Sequence, residues 1–173
     1  MKKLMIAAAA VFAAASAPAA IAQEVYGNVG VSGLDGDGAT LTAATLRGGA
    51  FITENFGAEA EFSVGLGGES IQGVALDLET SFIGYAVGRL PMGDSTDLIG
   101  RVGYGSATIE GRTGGGSVDV DIDGFAFGVG IQHFFTESFG VRGDITRFEA
   151  DEPNLDGGLD IYTISGVYRF KVE

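Results

Sequence analysis

The chain has 173 residues, of which 30 are glycine, three are proline and none is cysteine or tryptophan. That length suits one domain with a sizeable core. The 46% apolar content excludes intrinsic disorder, and the glycines follow no collagen period. Their number also disfavours helices, where an interior glycine costs about 1 kcal/mol relative to alanine. A formal charge of −13 excludes an electrostatically driven nucleic-acid binder, which needs a basic face.

Met1 to Ala22 (MKKLMIAAAAVFAAASAPAAIA) joins Lys2 and Lys3 to a short apolar run and an A-x-A site, Ala20-Ile21-Ala22. It reads as an export signal cleaved near Ala22, with residues 23–173 as the mature domain. An uncleaved membrane anchor is the alternative. Removing 22 residues, two of them lysine, leaves 151 residues and a formal charge of −15. An exported chain without cysteine has no disulfides to stabilise it. Nothing after Ala22 approaches the ~20 continuous apolar residues of a spanning helix. A transmembrane β-barrel, however, carries its apolar residues on alternate positions.

The chain beyond Ala22 alternates. Val25, Val29 and Val31 oppose Tyr26, Asn28 and Ser32. Leu46, Ala50 and Ile52 oppose Thr45, Arg47 and Thr53, with Phe51 on the polar side. In Phe56 to Leu66 every even position is apolar and every odd one is small or acidic, a period of two long enough to cross a bilayer. Ser81 to Leu90 is apolar on both faces. Leu98, Val102 and Tyr104 oppose Arg101, and Tyr162, Ile164, Tyr168 and Phe170 oppose Thr163, Ser165 and Arg169. Near Asp123-Gly124 the phase flips, as at a bulge or where a strand leaves the bilayer.

Turn signals divide the chain into eight strands, near 24–33, 40–53, 56–66, 74–90, 97–110, 117–135, 139–149 and 159–171. Short breaks at 53–55, 91–96 and 136–138 alternate with longer glycine- and acid-rich ones at 34–39, 67–73, 111–116 and 150–158. Short turns at one end and longer loops at the other are the asymmetry of an outer-membrane barrel, and eight strands suit the smallest closed ones. The predicted fold class is an all-β, eight-stranded antiparallel up-and-down transmembrane barrel. A near-repeat, Phe51-Ile52-Thr53-Glu54-Asn55-Phe56-Gly57 and Phe134-Phe135-Thr136-Glu137-Ser138-Phe139-Gly140, marks two equivalent short turns with aromatics at the membrane boundary.

With these pieces the chain resembles the small outer-membrane β-barrel family, OmpA membrane-domain-like porin-family proteins typical of Gram-negative bacteria. The residues carrying the resemblance are Val25-Tyr26-Gly27-Asn28-Val29-Gly30-Val31, Glu54-Asn55-Phe56-Gly57, Gly84 to Pro91, Leu98 to Gly105, and Gly166-Val167-Tyr168-Arg169-Phe170. The resemblance implies location in the outer membrane. Its implied partners are outer-membrane lipid, the barrel-assembly machinery and a surface ligand held by extracellular loops. Such barrels commonly end on an aromatic residue read by that machinery, whereas Lys171-Val172-Glu173 follow Phe170 here. No peptidoglycan-binding domain is expected after the barrel.

The charges that alternation turns inward are Arg47, Glu59, Glu61, Arg101, Arg142, Asp144 and Arg169, with Arg89 beside them. A narrow barrel is filled by side chains, and buried charges need partners. The expectation is an internal salt-bridge and hydrogen-bond network that closes the lumen; a small-solute pore lined by the same groups is the alternative. Glu59 and Glu61, two apart on one face, admit a paired-carboxylate reading, but pairing with arginine is expected.

Other motifs weaken on inspection. His133, the single histidine, precedes the short turn at Thr136 and is expected to be interfacial or lumen-lining. A Ser-His-acid triad needs its base beside a serine, and Ser138 lies beyond the turn. Asp119-Val120-Asp121-Ile122-Asp123-Gly124 begins like a calcium loop, yet its twelfth position is Gly130 rather than glutamate. The three aspartates read as a solvated strand end, with loose cation binding as the alternative. Leu34 to Gly38 and Asn154 to Gly157 read as flexible loops, and Gly111 to Gly116 lacks a phosphate-loop lysine. No cofactor, metal or catalysis is expected. The rivals are a lipid-modifying barrel enzyme and a soluble lipocalin-like binder, whose strands would turn apolar residues inward.

Overall fold

The structure, a computed structural model, describes residues 22–36, 39–67, 69–71, 74–113, 116–151 and 158–170. The described residues form strands β1 (Glu24–Gly36), β2 (Ala39–Phe51), β3 (Phe56–Gly67), β4 (Glu69–Ile71), β5 (Val74–Pro91), β6 (Thr96–Thr113), β7 (Gly116–Phe134), β8 (Phe139–Ala150) and β9 (Gly158–Phe170). Apart from β3 and β4, neighbours in sequence pair antiparallel, β1 pairs with β9, and β3 pairs with β5. The sheet therefore closes on itself. The three-residue β4 continues the line of β3 along β5, so nine segments make an eight-stranded antiparallel barrel. No helix among the described residues is long and apolar enough to cross a membrane.

Closure has a physical cause in the alternation. Val29, Val31, Val102, Val129, Ile131, Ile145 and Ile164 point outward and are exposed, while Asn28, Ser32, Arg47, Arg101, Arg142 and Asp144 point inward and are buried. Such a surface is inverted relative to a water-soluble protein, in which contiguous apolar patches of this extent are rare. Two aromatic bands border the aliphatic one. Phe56, Phe135, Phe139, Tyr168 and Phe170 ring the short-turn end; Phe82, Tyr104, Phe125 and Tyr162 ring the loop end. Edge-to-face contacts order them, at 4.8 Å for Phe139–Tyr168 and 4.9 Å for Tyr104–Phe125.

Three expectations change. Leu34 to Gly36 belong to β1, Glu69 to Ile71 form β4 and Gly111 to Thr113 end β6, because ladder pairing extends the strands into the predicted loops. Near Asp123-Gly124 there is no bulge: β6 and β7 stay in register from Thr96↔His133 to Thr113↔Gly116. The pairing of β7 with β8 instead begins at Gly124↔Ala150, with Asp151 N–H donating to Asp123 O at 2.8 Å, so Gly116 to Ile122 pair with β6 alone and project beyond the barrel rim. The register shifts lie elsewhere, at Thr42/Ala43 and Leu78/Thr80. The doubly apolar β5 resolves into Ile83, Tyr85 and Val87 filling the lumen and Phe82 and Leu90 outside. The export signal, Asn154 to Gly157 and Lys171-Val172-Glu173 lie outside the described residues.

The two repeated turns fold alike. Ile52 and Thr53 N–H donate to Phe56 O at 2.9 and 3.1 Å; Phe135 and Thr136 N–H donate to Phe139 O at 2.9 and 3.2 Å. Thr53 Oγ1 accepts from the Asn55 and Phe56 amides at 3.3 and 2.9 Å, and Thr136 Oγ1 from those of Ser138 and Phe139 at the same distances. The third short turn differs: Met92 N–H reaches Thr96 O at 2.7 Å, and Gly93 supplies a φ of 125° that disfavours side chains.

Candidate functional site in the barrel lumen

Five staves contribute to a polar layer across the middle of the lumen. Strand β2 supplies Arg47, β3 Glu59 and Glu61, β6 Arg101, and β8 Arg142 and Asp144; β1 adds Tyr26. Arg47 binds Glu61 through Nε at 2.6 Å and Asp144 in a fork, through Nη1 at 2.8 Å and Nη2 at 3.1 Å. Arg101 Nη1 reaches Glu59 at 3.0 Å and Glu61 at 2.8 Å, while its Nη2 reaches Asp144 and Thr146 Oγ1, both at 2.6 Å. Arg142 Nη1 meets Glu59 Oε2 at 2.7 Å, and Tyr26 donates to the same oxygen at 2.8 Å. The Arg101 guanidinium also lies 4.4 Å from the Tyr85 ring centroid.

Three guanidiniums and three carboxylates give this layer no net charge. Their side chains are at most 4% exposed. Ions so deep in a protein carry a desolvation cost that close, hydrogen-bonded pairing has to offset. The offset from side chains is incomplete, since Arg142 Nη2, the Asn28 amide and Tyr85 Oη have no partner among the described residues. Toward the loop end comes a layer of hydroxyls, Thr163–Ser32–Thr45–Ser63, linked at 2.8, 2.6 and 3.0 Å. Beyond it lies an apolar cluster of Leu34, Leu41, Ala43, Leu78, Ala107, Phe148 and Ile161.

Arg89 and Arg169 lie apart from this layer. They sit at the short-turn mouth and share Glu24, at 2.8 and 3.3 Å. The eight inward charges thus fall into two groups, six in mid-lumen and two at the mouth. Sequence reasoning missed Glu24, Tyr26, Tyr85 and Thr146. All four occupy inward positions of alternating strands, Glu24 two residues before Tyr26 on the same face of β1, which is the signal that marks them. Phe51, the exception on the polar face of β2, is 1% exposed inside the mouth and stacks on Tyr26 at 5.4 Å.

His133 faces outward and is exposed, with Nδ1 2.9 Å from Thr96 Oγ1 and its ring 5.2 Å from that of Phe135. The three aspartates lie on the outer face of the projecting part of β7, where Thr108 Oγ1 donates to Asp121 at 2.7 Å. Among the described residues no group of three His, Cys, Asp or Glu side chains is disposed to hold a metal ion.

A closed barrel with an apolar outer belt, aromatic borders and an ion-paired interior is the architecture of a transmembrane β-barrel. Residues 5–170 match the outer membrane protein beta-barrel domain family, and the chain belongs to that family. Among curated proteins none matches it in sequence. Solved structures share its fold. NspA, the Neisserial surface protein A, superposes with a TM-score of 0.66 at 9% identity, over 86% of this chain and 97% of that one. Ail, the attachment invasion locus protein of Yersinia pestis, gives 0.63 at 19% identity, over 86% and 99% of the two chains. Ail has also been solved in complex with the heparin analogue sucrose octasulfate. The N-terminal β-barrel domain of Pseudomonas aeruginosa OprF gives 0.61 at 17% identity, over 86% and 98%.

Proposed function

We propose that this protein is a closed, non-catalytic outer-membrane barrel whose role is structural and interactive, exercised through the loop end it presents outside the cell. The signal in residues 1–22 directs its export and is removed near Ala22, the assembly machinery inserts the barrel, and lipid covers its belt. The observation that carries the closed reading is the six-charge layer: each guanidinium there bridges at least two carboxylates, so the ions lock the walls of the barrel to one another. The apolar cluster above it supports closure on the loop side as well.

Planar-bilayer recording of the refolded barrel tests this reading. The expected trace shows no steps above the lipid baseline; steady conductance by the unaltered protein overturns closure and favours the small-solute pore. The lipid-modifying alternative loses support from His133, which sits outside the barrel beside the short turns. A lipocalin-like binder is disfavoured by the exposed belt.

At the loop end Asp35, Asp119, Asp121, Asp123, Glu149 and Asp151 are all exposed. Ail binds a polysulfated ligand analogue. A surface this acidic repels such a ligand, so the partner suited to this chain is cationic or neutral.

A further inference from the structure

The short-turn end of the barrel is built twice, and one residue joins the two copies. Each repeated turn is capped by an arginine from a neighbouring strand. Arg89 N–H donates to Asn55 O and Arg169 N–H to Ser138 O, both at 2.8 Å. The Arg89 Nε donates to Glu54 O at 2.9 Å, and the Arg169 Nε to Glu137 O at 3.0 Å. Each guanidinium covers the phenylalanine that opens its own turn, Arg89 at 4.0 Å from the Phe51 centroid and Arg169 at 3.9 Å from that of Phe134. The spacing Val-x-Arg repeats as well, in Val87-Gly88-Arg89 and Val167-Tyr168-Arg169. Both valines face the lumen one inward step deeper and are 2% exposed.

Glu24 breaks this two-fold pattern by standing between its halves. Its Oε1 accepts from Arg89 Nη1 at 2.8 Å and its Oε2 from Arg169 Nη1 at 3.3 Å. Glu24 immediately precedes Val25↔Phe170, the first pair of the seam between the first and last strands. Its carboxylate therefore ties β1 across that seam to β9 and across the mouth to β5.

We propose that Glu24 is a clasp that holds the short-turn mouth shut. One carboxylate bridges two guanidiniums that would otherwise repel each other, and so keeps both seated over Phe51 and Phe134, above Val87 and Val167. The proposal builds on the closed-lumen reading but locates a second closure, separate from the mid-lumen layer. Without the charge on Glu24 the two arginines part, and water reaches the valines from that end.

The chain has no cysteine, so Val167→Cys introduces a single thiol behind the clasp. Its modification by a small water-soluble methanethiosulfonate is timed in barrels whose folding is verified by heat-modifiable gel mobility. Adding Glu24→Gln is expected to speed labelling about tenfold, the change that follows from weakening a local closure by one such interaction, while Glu24→Asp leaves it near the parent rate. Should Val167→Cys fail to fold, Val87→Cys serves the same purpose; should Glu24→Gln fail, Arg89→Gln with Arg169→Gln removes the clasp from the other side. Equal rates with and without the clasp overturn the proposal. If only Arg101→Met speeds labelling, the clasp is refuted while the closed-lumen reading stands. If the unaltered barrel conducts in bilayers, the closed-lumen reading and the shut mouth fall together, whereas equal labelling rates in a non-conducting barrel overturn the clasp alone.

Discussion

Arg101 reaches Glu59, Glu61, Asp144 and Thr146 with two nitrogens and covers Tyr85 with its face. Removing one partner from a buried ionic layer leaves the others uncompensated, which costs roughly 3–5 kcal/mol. Arg101→Met, close in length and free of charge, is therefore expected to destabilise the barrel by about that amount. Guanidinium unfolding in lipid vesicles measures it, read by heat-modifiable gel mobility because the chain has no tryptophan. Small residues make the layer possible. The Tyr26 ring, which donates to Glu59, lies against Gly49, where any Cβ would collide with it. At this scale alternation marks which side chains face inward, but it does not say which arginine meets which carboxylate. Arg47 and Asp144 are 97 positions apart and are joined only by closure of the barrel.

At the scale of elements, the strands and short turns were legible because each is a local property. A period of two creates an apolar face in any stretch of extended chain, and Thr-Glu-Asn or Thr-Glu-Ser followed by phenylalanine closes a tight turn with its own threonine hydroxyl. Since the two turns share their geometry, Thr53→Ala and Thr136→Ala are expected to cost the same, each ~0.5–1.5 kcal/mol, and to add when combined. Unfolding midpoints of the two single variants and the double one check both equality and additivity. Loop lengths were less legible. Glycine and aspartate in 34–36 and 111–113 signal a break, yet pairing with the adjacent strand keeps these residues in the ladder. At Asp123-Gly124 the bulge reading fails and the reading of a strand that leaves the barrel wall holds, for a related reason. The alternation of β7 continues unbroken, but what surrounds the strand changes once β8 departs, and aspartates then replace aromatics on the outer face.

For the whole molecule the decisive quantity is what surrounds the belt. Val129 is 63% exposed and outward on β7, between Phe125 and the Phe135 that follows the strand. An arginine at the bilayer midplane of such a barrel costs roughly 2–4 kcal/mol and one near an interface about 0–1 kcal/mol. Val129→Arg is thus expected to destabilise the folded barrel in vesicles markedly more than Phe56→Arg at the aromatic border. Equal losses measured by guanidinium unfolding would argue against a hydrocarbon environment around β7. The same belt explains the composition. Half of each strand is apolar to meet lipid, the other half is small or charged to fill a narrow lumen, and glycine lets rings and guanidiniums pass close to the wall.

The sequence by itself determined the strand period, the eight strands and the short turns, because each strand and each turn depends on neighbours one to four residues apart. Tertiary structure alone decided the sorting of eight inward charges into a mid-lumen layer and a mouth group, the seating of Phe51 under Arg89, and the joining of two repeated turns by Glu24. The contacts of Phe51 with Arg89 and of Glu24 with its two arginines link residues 38 to 145 positions apart. Only the closure of β1 on β9 and β3 on β5 brings them within reach of one another.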